Sequence, residues 1–369
     1  MKVADIQKII EEWAPKQLAW DRDNIGLLAG SSSQPVKKIL VALDVTEEVI
    51  EEAIDKKADL LVTHHPVIFG SVKSITDHDR TGRLFLRLIR KNIALFAAHT
   101  NLDFTREGVS FALTKKLNLQ NARVLHKDIR QYNKVAVFIP VSHTEKVMLA
   151  MANAGAGSIG AYDSCSFQSE GTGTFRPLKG SNPFIGSTGT LERVDEMRLE
   201  MIVPTWKLNP VLEAMKAAHP YEEIAYDVYA LANVSSEYGS GVIGELPKPA
   251  SLRVLLQTVR KKLNVPSLRF TGMLNQTVSS VAVCGGSGAD LLPVAIQQGA
   301  DVFLTADVKY HTFQQVEDAI ALIDAGHYET EIPIVQQVVS YLSQKCRERK
   351  EGVAVLASEH SYNPVQYYL

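Results

Sequence analysis

Cysteine is scarce in these 369 residues: Cys165, Cys284 and Cys346 are few, odd in number and widely separated. They suggest neither a disulfide framework nor a thiolate zinc site, and they fit a reducing, cytoplasmic setting. An excess of one charge is missing too. A formal net charge of −2 gives no electrostatic reason to expect nucleic acid or an anionic membrane as partner. Apolar runs such as "ILVAL" at 39–43 fall far short of a membrane span. The amino terminus lacks the unbroken apolar segment and cleavage site of a signal peptide. Instead Val3, Ile6, Ile9, Ile10 and Trp13 recur along one helical face. What remains is ordinary for a globular chain, 46% hydrophobic and 22% charged, at a length that predicts two or three domains.

Residues 37–125 alternate strand-like and helix-like stretches. "KKILVALDV" reads as a buried strand; Asp44 is placed to cap "TEEVIEEAIDKK", with Glu47 as in a capping box. "ADLLVTHH" is a second strand, "TGRLFLRLIRKN" a helix and "IALFAAHTNLD" a third strand, an α/β rhythm that implies parallel pairing. From Tyr132 the order changes to strand, helix, two strands joined by a long hairpin, helix, strand. This is a βαββαβ, ferredoxin-like unit that ends in the linker-like "ANVSSEYGSG". After about residue 250 the α/β rhythm resumes and closes with the long helix "PIVQQVVSYLSQKCRERK". The expected organisation is therefore an α/β domain of residues 1–129 and 233–369 with a ferredoxin-like domain, 130–232, inserted in it.

The outer halves resemble each other. "ADLLVTHHPV" at 58–67 parallels "ADVFLTADVK" at 300–309, and "IALFAAHTNLD" at 93–103 parallels "IALIDAGHYETE" at 320–331. This reads as a duplicated βα unit, although strand sequences are monotonous enough to mimic one another. In open α/β layers ligands gather beyond the carboxyl ends of strands. His64, His65, His99, Asp103, His327 and Glu331 all fall just past such ends. Taken singly, each histidine fits a hydrogen-bonded loop residue. As a set, imidazoles and carboxylates without thiolate suit zinc, iron or manganese. Six side chains exceed the needs of one tetrahedral ion and match two ions sharing a carboxylate.

"VTHHPVIFG", "AAHTNLD", "GGSGAD", "TADVKYH" and "AGHYETE", in that order, resemble the NIF-three-like family, whose members are called GTP cyclohydrolase 1 type 2 homologues. The resemblance covers about residues 1–125 and 250–369. It implies a duplicated α/β fold and, in longer members, an insert similar to the CutA and PII proteins. It also implies dinuclear metal ligands at His64, His65, Asp103, His327 and Glu331, with Glu331 as the bridge and His99 beside the metals. A toroidal homohexamer is implied as well. One departure is "WDRDNIGLLAG" at 20–30, where Arg22 and Asp23 stand between Trp20-Asp21 and Asn24. That leaves Asp21 without a clear role.

Two ions of this kind commonly activate a shared water, so hydrolysis of a purine nucleotide or phosphoester is the expected chemistry. His99 and His311 are the candidate acid–base groups, and His311 fits a helix start equally well. "CGGSGAD" offers Gly285, Gly286 and Ser287, with Lys309 nearby, as a weak phosphate site for a small nucleotide; a tight glycine turn explains the motif as well. The alternative is a metal-handling or regulatory protein without turnover.

Overall fold

The structure, a computed structural model, describes residues 1–68, 70–127, 132–235, 237–316 and 319–368. The chain divides into two compact units, residues 1–127 with 236–369, and residues 128–235. The expected boundary at 129/130 lies outside the described residues; the one at 232/233 falls just before the observed division.

In the first unit, Lys38–Ala42, Leu60–Thr63 and Ala94–Ala97 run parallel. Gly26–Ala29 lies antiparallel at one edge of that sheet and Ala354–Ala357 parallel at the other. A second sheet has Thr277–Val283, Val302–Thr305 and Ala321–Asp324 as its parallel centre. Arg269–Phe270 is antiparallel at one edge; Ser240–Ser251 and then Gln120–His126 are antiparallel at the other. The four-residue strands at 60, 94, 302 and 321 are buried throughout, as strands covered on both faces must be.

The halves repeat down to single hydrogen bonds. Asp59 Oδ2 accepts the backbone N–H groups of Lys37 and Lys38 at 2.7 and 2.9 Å, and Asp301 Oδ2 accepts those of Ser279 and Ser280 at the same distances. Gly30 and Gly272 both sit in the left-handed region, at φ +97° and +100°. A Cβ at either would meet the methyl of Ala94 or Ala321 within 2.9 Å. Each aspartate satisfies two strand-entry donors, so Asp59→Ala and Asp301→Ala should each cost about 2 kcal/mol. Because they serve different sheets and share no partner, the two losses should add. Urea denaturation checks this: the midpoint should fall at unchanged m-value, and an unmoved midpoint would refute it.

Each half also lends a strand to the other. Gln120–His126 leaves the first half for the second sheet, and Ala354–Ala357 leaves the second half for the first. The helices that lead to them, Val109–Leu117 and Pro333–Glu348, pack together in a core with Ile6, Ile39, Val62 and Phe96. That exchange holds the ends of the two parallel sheets near one another.

The second unit is ordered strand Tyr132–Pro140, helix Thr144–Asn153, strands Ser166–Phe175 and Glu192–Pro204, helix Leu208–Ala218, strand Tyr226–Ala230. Its sheet is antiparallel throughout, with Glu192–Pro204 and Tyr132–Pro140 at the centre. Val135, Val137, Leu199 and Met201 pack against Val147, Met151, Val211 and Met215 of the helices. Among the described residues no helix is long and apolar enough to cross a membrane.

Candidate metal centre

His64 and His65 leave the strand Leu60–Thr63 still tied to its neighbour. Their N–H groups donate to Ala42 O at 3.3 Å and Leu43 O at 2.9 Å. The doublet therefore stands on sheet-like backbone, although it ends in a turn. His99 follows the strand Ala94–Ala97 and precedes the short helix Thr100–Asp103, which ends on Asp103. His327 and Glu331 are the first and last residues of the helix His327–Glu331, a spacing that puts both on one face.

All four histidines are oriented the same way. His64 Nδ1 donates to Ala98 O at 2.9 Å, while His65 Nδ1 meets Asp44 Oδ1 at 2.8 Å. His99 Nδ1 meets Asp23 Oδ1 at 2.9 Å, and His327 Nδ1 meets Asp307 Oδ2 at 2.7 Å. With Nδ1 committed to an oxygen, Nε2 is the atom each ring offers to the centre, the arrangement that histidine ligands of metals use. The rings crowd together: His65 lies 4.9, 5.5 and 5.4 Å, centroid to centroid, from His64, His99 and His327.

Glu331 runs through the middle. Its Oε2 is 2.9 Å from His65 Nε2 and 3.1 Å from His327 Nε2, and its Oε1 is 3.9 Å from His64 Nε2. Glu331 Oε2 and His64 Nε2 are nonetheless buried without an aligned hydrogen-bond partner among the described residues. Atoms that converge in this way on a common point form a set that a cation would satisfy. Two groups qualify, His64 with His65 and His99, and His65 with His327 and Glu331; within each, the donor atoms lie within 4.8 Å of one another. Asp103 Oδ1 approaches His64 Nε2 at 3.6 Å.

Burial and the groups' own charges set the protonation of each side chain. Burial drives His64 down to about 3, so that ring is neutral and its Nε2 keeps a lone pair. Burial also works against a charge on His65, but Asp44 and Glu331 outweigh it and raise the ring to about 10. Glu331, helped by Asp307, raises His327 to about 9. Glu331 itself is held well below the usual carboxylate range, its burial outweighed by His327 and His65. Asp103 moves the other way, because burial and the Glu331 charge push its carboxyl up. Burial pushes the nearby Cys284 thiol up to about 12 and keeps it protonated.

Gly286 shows how closely this centre is built. At φ +63°, a side chain there would collide with Glu331 Oε1 and come within 3.3 Å of His327 Cε1. The Gly285–Gly286 turn therefore makes room for Glu331. Its amides are already used: Gly285 N–H donates to Ser110 Oγ, Gly286 N–H to Thr330 Oγ1 and Gly288 N–H to Thr305 Oγ1. The structure favours the packing reading of "GGSGAD" over a phosphate cradle, with Ser287 inside the same turn. Lys309 is exposed at the N-cap of the helix Tyr310–Gln315. His311, the second residue of that helix, is exposed and pairs with Gln314 at 3.0 Å, outside both donor groups.

Three aspartates were not read as part of the site. Asp44 does not cap its helix; Thr46 does, accepting from Val49 N–H at 3.2 Å, which frees Asp44 for His65. Asp23 stands directly before Asn24, so the two extra residues of "WDRDN" shift the aspartate that matters from 21 to 23. Hydrogen bonds from His99 and Thr100 outweigh its burial and bring it down to about 2. Asp307 aligns with His65 in the internal repeat, and that correspondence was its available signal.

Residues 1–364 match the profile of the family described as Duf34/NIF3 (NGG1p interacting factor 3). A "GTP cyclohydrolase 1 type 2 homolog" of Halalkalibacterium halodurans is 40% identical over 372 residues, covering 100% of both chains. One of Bacillus subtilis is 40% identical over 367 residues, 98% of this chain and 97% of its own. The crystal structure of a Bacillus cereus protein related to NIF3 superposes with a TM-score of 0.88 at 39% identity, covering 100% of this chain and 99% of that one.

Proposed function

The chain belongs to the Duf34/NIF3 family, and for this member we propose a dinuclear metal-dependent hydrolase acting on a purine nucleotide or phosphoester. The ligands are His64, His65, Asp103, His327 and Glu331, with Glu331 shared by two divalent ions of zinc, iron or manganese. The observation that carries the reading is the convergence of buried lone-pair atoms, His64 Nε2 and the Glu331 carboxylate, on the Nε2 atoms of rings already oriented through Nδ1. When bound, such ions lower the pKa of water and polarise the bond under attack. His99, held by Asp23 at Nδ1, presents Nε2 on the His64–His65 side and is the group that carries the proton. The name of the relatives supports GTP as the first substrate to try.

Metal-loaded protein incubated with GTP and a panel of phosphoesters, beside Glu331→Ala, tests the reaction. Turnover that vanishes in the variant supports the hydrolase. Tight metal binding without turnover across the panel would replace it with the metal-handling or regulatory alternative. The supporting carboxylates give a second test: Asp44→Asn and Asp307→Asn should each weaken metal affinity about 10- to 100-fold while the fold persists. Competition against a chromogenic chelator measures this, and unchanged affinity would remove the aspartates from the site.

The second unit is, on this reading, a ferredoxin-like insert related to CutA and PII proteins. Its βαββαβ order and its central pairing of first and third strands support that assignment. The assembly we propose is a homohexamer in the cytoplasm, testable by light scattering.

A further inference from the structure

The second unit holds a cavity of about 300 Å³ that the metal reading does not use. Its wall includes Phe175, Leu178, Phe184, Ile185, Glu196 and Tyr221. The connection between the strands Ser166–Phe175 and Glu192–Pro204 supplies one side, tied down where Asn182 N–H donates to Glu222 Oε1 at 2.8 Å. The Tyr221 ring is 5.8 Å from that of Phe175 and 6.3 Å from that of Phe184, which in turn meets His143 at 5.5 Å.

The polar content of this aromatic hollow is unusual. Glu196 is only 9% exposed and has no cationic partner among the described residues. A buried carboxylate is costly unless a cation or several donors answer it. Gly173 keeps the space open for it, since any side chain there would collide with the Glu196 carboxylate. The Tyr221 hydroxyl beside it is buried against the Glu196 carboxylate, its hydrogen-bond acceptor, at a geometry short of a well-aligned bond. Burial and the Glu196 charge together push that phenol up. Glu196, Glu222 and Glu223 face a single guanidinium, Arg176, so the wall carries net negative charge.

We propose that this cavity binds a small organic cation with an apolar substituent, an alkyl- or arylammonium ion. The charge sits against Glu196 and the Tyr221 hydroxyl, and the apolar part lies between the rings of Phe175, Phe184 and Tyr221. Aromatic faces and a buried carboxylate are the two features that recognise ammonium groups, and the volume lies at the small end of ligand sites. The site is independent of the metals, so its failure or success leaves the hydrolase reading untouched.

Isothermal titration of the full, metal-loaded chain with benzylamine and benzyltrimethylammonium tests it, with benzoate and benzyl alcohol as controls. The expected result is saturable binding of at least one of the cations at one per chain, no saturable binding of benzoate, and a loss of about tenfold or more in Glu196→Gln. Phe184→Ala, on a half-exposed side chain of the connection, should weaken the cation several-fold and serves if Glu196→Gln does not fold. No saturable binding of either cation up to about 10 mM would overturn the proposal. So would equal binding of benzyl alcohol, or unchanged affinity in a folded Glu196→Gln variant.

Discussion

Glu331→Gln should strip the protein of metal at both positions, leaving a folded chain with near-zero metal content after purification. The substitution keeps the shape of the side chain and removes only its charge. That charge touches both donor groups: one oxygen lies within 3.1 Å of His65 Nε2 and His327 Nε2, and the other faces His64. No second carboxylate takes its place, because Asp103 approaches only His64 among the centre's rings at ion-pair distance. Taking one charge from a buried, paired cluster costs about 3–5 kcal/mol, a factor of roughly 10² to 10⁴ in affinity. Asp103→Asn should accordingly weaken binding and spare part of the metal. Elemental analysis of both variants, purified alongside the parent, decides it. A full metal complement in Glu331→Gln would end the bridging assignment.

The residues that meet at this centre differ in how visible they are along the chain. The His64–His65 doublet and the spaced pair His327 and Glu331 follow short, mostly apolar strands, Leu60–Thr63 and Ala321–Asp324, which the α/β rhythm makes recognisable as parallel. Their approach to one another was readable through the internal repeat and the family resemblance, not from either segment alone. The physical cause is the exchange of edge strands, and the strands that make it are the hard ones to see. Ala354–Ala357 is short and only partly buried, and Gln120–His126 is exposed along its first four residues. Neither shows the alternation that marks a strand. The orienting aspartates were hidden for a different reason. An aspartate after a strand is as good a helix cap as a histidine partner, and only the neighbouring strand decides between them for Asp44. At 284–290 glycine was legible as a turn, but that the turn makes room for a carboxylate 45 residues later in sequence is a tertiary fact. The βαββαβ order of the second unit was clear because its helices and strands alternate at ordinary lengths; the cavity beside Tyr221 depends on where a 16-residue connection comes to rest.

Metal uptake should release protons, and apparent affinity should climb steeply with pH through neutrality. In the metal-free chain His65 keeps its proton up to about pH 10 and His327 up to about pH 9. Both rings must lose it before Nε2 can bind an ion. The sign follows directly: below these values each imidazolium competes with the cation, so raising the pH favours the metal, and above them the dependence flattens. His64 is already neutral and Glu331 already ionised, so neither adds to the slope. Asp103, with its raised pKa, contributes a further proton wherever it is still protonated. Two imidazoles set a slope of about two decades of affinity per pH unit near pH 7. The measurement is titration of chelator-stripped protein with a divalent cation in weak buffer, following proton release with an indicator dye. Repeating it across buffers of different ionisation enthalpy counts the protons by calorimetry. Bound ligand stabilises the folded state in proportion to the logarithm of its excess over Kd, so stripping should also lower Tm, and by more at pH 8 than at pH 6. Uptake without proton release, or an affinity flat across that range, would mean that His65 and His327 do not bind through Nε2.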